Sequence, residues 1–301
     1  MKIAIIDDQC SGCNEGGSQK NSWGLIQEGI KRNHKIRIIT PQNMSVRSLE
    51  GVDVVIFVNI MSFTMEQIEA ITSKHKYIFS HRDFNFYKFR LFYPVIKGDY
   101  RGIKRDFWKK IYMGALQHIW LSPLHRETYL IAFPELEKFK VTIPSCIDVS
   151  LWKPMGGIER KPNTVIGVNC LESFKGRYLV NSYVEKHPEL HFTFVGNAPP
   201  INKSNCSYLP YVPNEELPTL YNQHEKFIHL PDHTEPFGRV SVESLLSGCK
   251  IITNENNGAF SYKWMKEGDV RNIREMMKQV GVAWWEEVEK SCGVKYLGVD
   301  S

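Results

Sequence analysis

Two doubly wound parallel-sheet α/β domains of the Rossmann-like kind are the fold that this 301-residue sequence predicts. Three observations carry that expectation. Strand-like runs alternate with helix-like segments from the first residues onward. The longest interior runs are apolar without alternation, as in parallel strands buried on both faces. The rhythm halts at a Pro- and Gly-containing stretch near residue 150 and then restarts, which suits two domains of about 150 residues each better than one core.

The elements follow in order. Residues 3–7 read as a first strand, 11–17 as a polar Gly-rich loop, 23–32 as a helix and 35–40 as a second strand. Residues 52–59 form a continuous apolar run, 65–73 have helical spacing, and 77–80 are a further strand. The boundary is expected between residues 143–148 and 152–154, ahead of Gly156, Gly157 and Pro162, giving domains 1–148 and 149–301. Strands at 164–168 and 191–195 restart the pattern, and 196–200 is an exit turn. Two such domains would face a cleft at the carboxyl ends of their strands, where ligands of open α/β sheets bind. The chain shows no internal repeat and no low-complexity segment.

Hydrophobic content of 42% with 12% aromatics excludes general disorder. The first apolar run is too short for a signal peptide, and none approaches the roughly 20 residues that span a bilayer, so a cytoplasmic protein is expected. Seven scattered cysteines fit reduced thiols. Cys10 and Cys13 make a lone C-x-x-C, read as a loop with two thiols rather than a zinc or redox site.

Net charge is +5, unevenly spread. Residues 1–150 hold 21 Lys/Arg against 15 Asp/Glu, a balance of +6, and the rest hold 17 against 18. Between Lys74 and Lys110 lie 11 basic residues and three acids, interleaved with 11 aromatics. That run points to an anionic partner for the first half. Basic residues neutralise phosphates and aromatics offer stacking faces, which suits DNA; the same face also suits anionic lipid headgroups. Core aromatics under a solvated Lys/Arg rim are the third reading.

The chemistry concentrates later. Glu235 and Glu243 stand seven residues apart around Pro236, Phe237, Gly238 and Arg239, after a strand-like run at 227–231 and before a helix read at 241–248. Strand, glycine turn and helix N-terminus together make an anion site, because backbone N–H groups and the helix dipole converge there. Glu243, expected in the first helical turn, would accept hydrogen bonds from a ribose diol. Glu235 would face the sugar beyond the phosphates. An isolated acid pair reads as a solvated helix end; the glycines at 238 and 248 in register, with the apolar strand 250–253 following, favour a nucleotide-sugar site.

This E-x7-E segment, with its helix, glycine and strand, resembles that of the retaining glycosyltransferases of two-domain GT-B fold, family four in particular. The resemblance implies further sites. Gly16 and Gly17 before a helix look like the opening Gly-rich loop that lets backbone approach donor phosphates or the reacting sugar. His81, with Asp83 beside it, looks like the family's cleft histidine that touches the transferred sugar. Residues 170–176 resemble the family's G-R-L-x-x-x-K-G, where Arg and Lys grip the pyrophosphate. Lys175 and Gly176 match, whereas Asn169 stands for Gly and Cys170 for Arg, leaving Arg177 or Arg239 to replace the missing cation. Tyr211 and Val212 match the segment whose backbone reads the nucleotide base. Only 43 residues follow Gly258, so the family's long helix returning to the first domain is expected in shortened form over 276–289, with Trp284 and Trp285.

The implied reaction moves a sugar from a nucleotide-sugar, UDP being the commonest carrier, to an acceptor hydroxyl with retention of configuration. Attack would be front-face, the leaving diphosphate helping to deprotonate the acceptor. Glu235, His81 and Lys175 are the expected catalytic groups. Asp7-Asp8 lacks the spacing of a D-x-D motif, so no metal is expected. The chain is further similar to bacteriophage glucosyltransferases that modify 5-hydroxymethylpyrimidines in DNA, in the first strand and Gly-rich loop, the His–Asp station and the K-G turn. That implies DNA as acceptor, bound through Arg82, Asp83, Lys88, Arg90, Lys104 and Arg105, in a host cytoplasm. A glycan or lipid-linked acceptor at a membrane surface is the alternative. A degenerate nucleotide-sugar-binding protein and a sugar-nucleotide epimerase complete the candidates.

Overall fold

The computed structural model describes residues 1–8, 16–86, 103–172 and 175–294. By packing, the chain divides into two units: residues 1–121, 126–146 and 279–301 form the first, and 122–125 with 147–278 the second. The sequence reading, a single crossing at 148, differs in giving all of 149–301 to the second domain.

The first unit opens with β1 (Lys2–Ile6), α1 (Gly17–Lys31), β2 (Lys35–Ile39) and β3 (Val54–Phe57). It continues with α2 (Met65–Thr72), β4 (Tyr77–Ser80), α3 (Arg105–Met113), β5 (Gln117–Ile119) and α4 (Pro123–Ala132), the first residues of which count with the second unit. All strands pair in parallel in the order β2-β1-β3-β4-β5. β1, β3 and β4 are almost wholly buried, which is why their sequences are apolar without alternation. Thr64 caps α2 with a Thr–Gln capping box. Asp8, at the exit of β1, accepts from the N–H groups of Met61 (3.0 Å) and Ser62 (2.8 Å), so it ties down the turn after β3.

The second unit contains β6 (Lys161–Val168), α5 (Arg177–Lys186), β7 (His191–Val195), β8 (Cys206–Leu209), α6 (Leu217–Gln223) and β9 (His224–Ile228). After these come α7 (Arg239–Leu246), β10 (Lys250–Ile252), α8 (Lys263–Glu267) and α9 (Val270–Lys278). Its five parallel strands run in the order β10-β9-β6-β7-β8. The chain then returns to the first unit with α10 (Val280–Ser291), which packs on α1. Trp285 Nε1 donates to Leu25 O at 2.6 Å and Trp284 Nε1 to Ser80 Oγ at 3.1 Å. The Trp285 ring fills the space over Gly29, where a Cβ would sit 2.2 Å from Cζ2. Glu289 takes Arg32 and His34, each at 2.8 Å. Among the described residues no helix is long and apolar enough to cross a membrane.

A stacked ring cluster lies inside the first unit. His118 Nε2 lies 2.8 Å from the Tyr112 carbonyl and must donate to it, so its Nδ1 accepts from His81 Nε2, also at 2.8 Å. Burial pulls the His118 imidazole down to about 3, against the lift from its bond to Tyr112 O. Its ordinary value is near 6.5, so on acidification the unfolded chain takes up this proton first. The contribution is complete above about pH 6.5 and is lost toward pH 3, at up to about 1.4 kcal/mol per pH unit. Urea denaturation should therefore show a drop in stability from pH 7 to pH 5 that His118→Gln reduces. Equal drops in both proteins would refute the assignment.

Candidate active site

In the second sheet β6 lies between β7 and β9, so the strand order reverses beside it. Segments leaving the carboxyl ends of β6 and β9 therefore meet, as at the ligand-binding crevice of open α/β sheets. After β6, Asn169 adopts φ +50, the left-handed region that asparagine tolerates better than most residues, which accounts for Asn at a station where glycine is usual. Cys170 turns into the hydrophobic core beside Leu171 and Phe194, and burial pushes its thiol up to about 12. Gly176 follows Lys175 with φ +82, and a Cβ there would lie 1.9 Å from Leu230 O. Only glycine allows this approach, which sets Lys175 against the segment after β9.

That segment is held on both sides of Glu235. Glu235 N–H donates to Asn256 O and Gly258 N–H to Glu235 O, both at 2.9 Å, while Ala259 N–H donates to Phe237 O at 2.8 Å. Ser122 Oγ donates to Pro236 O at 2.7 Å, and the side-chain amides of Asn254 and Asn256 donate to Pro231 O at 2.8 and 3.0 Å. Gly238, φ +76, is the N-cap of α7, and Gly248, φ +98, closes it.

Lys175 Nζ donates to Glu235 Oε2. Burial raises the Glu235 carboxyl, but Lys175, with His229 and His233, outweighs it and leaves the acid at about 2, ionised at neutral pH. His229 is buried, with Nε2 4.0 Å from the same carboxylate oxygen and Nδ1 3.2 Å from Ser241 Oγ. Burial pulls it down to about 4 despite Glu235, so it is neutral at pH 7. His233 Nδ1 sits 2.7 Å from Asp232 Oδ1.

Two expectations change here. Helix α7 starts at Arg239, because left-handed Gly238 caps it, so Glu243 is its fifth residue and lies in the second turn, not the first. Glu243 is buried and pairs with Arg239 Nη2 at 3.1 Å. Arg177, the other replacement cation considered, donates to Leu171 O, Pro199 O and Pro200 O at 3.1, 2.6 and 3.0 Å. Its guanidinium braces two loops. Tyr211 is exposed, its N–H donating to Asn197 Oδ1 at 3.3 Å, and Val212 beside it is partly buried.

In the first unit Gly16 caps α1 and Gly17 begins it. His81 is wholly buried, stacked on Phe79, His118 and Trp120. A sugar could reach this ring only if its neighbours moved. Asp83 Oδ1 accepts the N–H of Phe84 at 3.0 Å, and its carbonyl accepts from Tyr129 Oη. Arg82 is buried. Arg105 is committed to Glu135, with both carboxylate oxygens at 3.0 Å, and to Ala132 O. Lys104 is exposed; Lys88 and Arg90 lie outside the described residues, as do Cys10 and Cys13. Tyr77, Phe79, Phe84, Phe86 and Trp108 of the basic-aromatic run are core residues, so none of these five offers a face for stacking a base. Among the described residues no group of three or more His, Cys, Asp or Glu side chains is placed to hold a metal.

His229, Asn257 and Ser122 escaped the sequence reading. A histidine inside the apolar run 227–231 was the available signal for the first. Asn257, whose Nδ2 donates to Ser241 Oγ at 2.9 Å and Thr253 Oγ1 at 3.0 Å, and Ser122, 114 residues from its partner, gave none.

No family model matches the sequence. A 101-residue stretch is 29% identical to an uncharacterised 41.2 kDa protein in the cps region of Klebsiella pneumoniae, covering 31% of this chain and 27% of that relative's length. Among solved structures, Anabaena HepE in complex with UDP and glucose aligns over 98% of this chain and 92% of its own, with TM-score 0.63 and 14% identity. Sucrose-phosphate synthase from Thermosynechococcus elongatus aligns over 97% and 92%, at 0.67 and 13%. An alpha-glucosyltransferase in complex with UDP and a 13-mer DNA containing an HMU base aligns over 97% and 99%, at 0.63 and 11%. At these identities the likeness is one of fold, and the chain has the two five-stranded parallel α/β units of the GT-B glycosyltransferases.

Proposed function

We propose that the protein is a retaining glycosyltransferase that takes its sugar from a UDP-sugar. The observation that carries this reading is the Lys175–Glu235 pair, lodged between the Gly176 turn and the Gly238-capped start of α7 at the sheet's switch point. Lys175 and the N–H groups of the first turn of α7 would stabilise charge growing on the leaving diphosphate. The ionised, backbone-clamped Glu235 would orient the transferred sugar through its hydroxyls. Glu243 would take the ribose, releasing Arg239 toward the phosphates as it does so. Tyr211 and Val212 would present backbone to the base. Front-face attack with the diphosphate as proton acceptor needs no further carboxylate, and a metal-independent reaction is part of the proposal.

Two acceptors are in view. A hydroxymethylpyrimidine in DNA is supported by the fold likeness to the DNA-bound alpha-glucosyltransferase. A saccharide or lipid-linked hydroxyl is favoured by the burial of Tyr77, Phe79, Phe84, Phe86 and Trp108, five of the six described aromatics in the basic run, which removes their faces from stacking. Purified protein should be offered labelled UDP-sugars with hydroxymethylated DNA, unmodified DNA and a saccharide panel. Turnover that chelation leaves intact and that Glu235→Gln lowers by two orders of magnitude or more is the expected result. Absence of both UDP-sugar binding and turnover would overturn the reading, and product formed without any acceptor would indicate an epimerase.

A further inference from the structure

In a nucleotide-sugar site Lys175 has two tasks that compete. Its ammonium holds the Glu235 carboxylate, and the same ammonium is the cation for the donor diphosphate. A diphosphate that draws Lys175 away leaves Glu235, largely buried and ionised, without its counter-charge. That is costly unless another donor takes the vacated oxygen. His229 stands beside it. This residue directly follows β9, and its backbone N–H pairs with Ile252 O of β10 at 3.0 Å, so the sheet carries the ring. Nε2 lies 4.0 Å from Glu235 Oε2, the oxygen that Lys175 holds, and so stands about 1 Å beyond a hydrogen bond. On the other side of the ring Nδ1 lies 3.2 Å from Ser241 Oγ, which accepts from Asn257 Nδ2 at 2.9 Å. Burial keeps the imidazole neutral at pH 7, so one ring nitrogen bears a proton and the other a lone pair. A lone pair on Nε2 would face the carboxylate and be repelled. The favoured tautomer therefore has its proton on Nε2, with the Ser241 hydroxyl donating to Nδ1.

We propose that His229 is a positioning residue for Glu235: when the donor diphosphate draws Lys175 off the carboxylate, the Nε2–H of His229 takes its place and keeps Glu235 aimed at the sugar. The proposal rests on the reading of the site as a nucleotide-sugar site. The Lys175–Glu235 pair is then the resting arrangement, and the His229–Glu235 pair the working one. Ser241 and Asn257 have the task of fixing the ring so that its proton faces the carboxylate. Asn257 is itself held by a second bond from Nδ2, to Thr253 Oγ1 at 3.0 Å.

Calorimetric titration with UDP, whose diphosphate suffices to draw Lys175, tests this across four proteins. His229→Leu should bind UDP about tenfold more weakly than the natural protein, the scale of one hydrogen bond to a charged group. In the Glu235→Gln background, where no carboxylate is left to be held, the same substitution should change UDP affinity little. A merely structural role for His229 would weaken binding in both backgrounds alike. His229→Gln, whose side-chain amide can present an N–H where Nε2–H stood, should recover most of the loss. Histidine-labelled nitrogen-15 spectra of the full chain give a second readout, the His229 signal being the one missing from His229→Gln. Saturating UDP should move its Nε2–H proton downfield, as a hydrogen bond to a carboxylate forms, and Glu235→Gln should largely abolish that movement. UDP binding with an unmoved His229 signal, or equal losses in the two backgrounds, would overturn the proposal and leave the donor site standing. Failure of the natural protein to bind UDP would overturn both.

Discussion

Lys175→Met is expected to lower turnover by about 10²- to 10³-fold, the scale seen when one group stabilising transition-state charge is removed. It should also destabilise the second unit by on the order of 2–3 kcal/mol, because it strips the counter-charge from a largely buried carboxylate. The two effects separate by pH. Glu235 sits at about 2 in the folded protein, pulled there against its burial chiefly by Lys175, whereas an ordinary glutamate titrates near 4.3. A carboxyl depressed on folding contributes stability that is complete above its unfolded value and fades as pH falls through the folded one. The unfolded value is common to both proteins, so the stability gap between natural protein and variant should be widest near pH 7 and narrow as pH falls, because burial makes the unpaired carboxyl of the variant take up its proton before the paired one does. Urea titrations at pH 7, 5 and 3.5 measure it. A gap independent of pH would mean that Lys175 acts through its aliphatic stem and not its charge.

The second large effect is steric. At Gly258 a Cβ would fall 2.3 Å from Pro236 O, 2.5 Å from Ser122 Oγ and 2.7 Å from Glu235 O. Two of these are backbone atoms of the very segment that presents Glu235. Gly258→Ala must push that segment away, breaking the bonds from Gly258 N–H to Glu235 O and from Ala259 N–H to Phe237 O. A cost of about 2–4 kcal/mol follows from forced overlap and lost hydrogen bonds, with UDP-sugar binding falling alongside. Gly156→Ala is the control, since nothing lies within 4 Å of a Cβ there. It should be neutral, or stabilising by up to about 1 kcal/mol through the unfolded chain. Thermal melts of the two variants side by side decide the matter: equal midpoints would show that the clamp around Glu235 yields easily.

Much of the fold was legible because parallel strands buried on both faces leave long apolar runs. Tyr77–Ser80 and His191–Val195 begin and end where the sequence put them. Elements set by backbone conformation were harder to read. The start of α7 moved by two residues because Gly238, in the left-handed region, caps the helix earlier than the apolar spacing indicates. That shift alone relocates Glu243 by a turn. The basic-aromatic run left three readings open for a different reason: composition does not distinguish a ring that faces a partner from one that fills a core, and Phe79, Phe84 and Trp108 do the latter. Lys175 and Glu235 came from motif spacing, but their direct pairing depends on Gly176 touching Leu230, a contact across 54 residues that local sequence does not encode.

The return of α10 to the first unit has a consequence for biosynthesis. Trp285 and the backbone oxygen it bonds on α1 are 260 residues apart. During translation α1 emerges with its Gly29 face uncovered and stays so while the entire second unit is made. The first unit, begun earliest, is therefore the last to close. A ribosome paused late in the message would hold a nascent chain with a finished second unit and an open apolar seam, the kind of surface that chaperones bind.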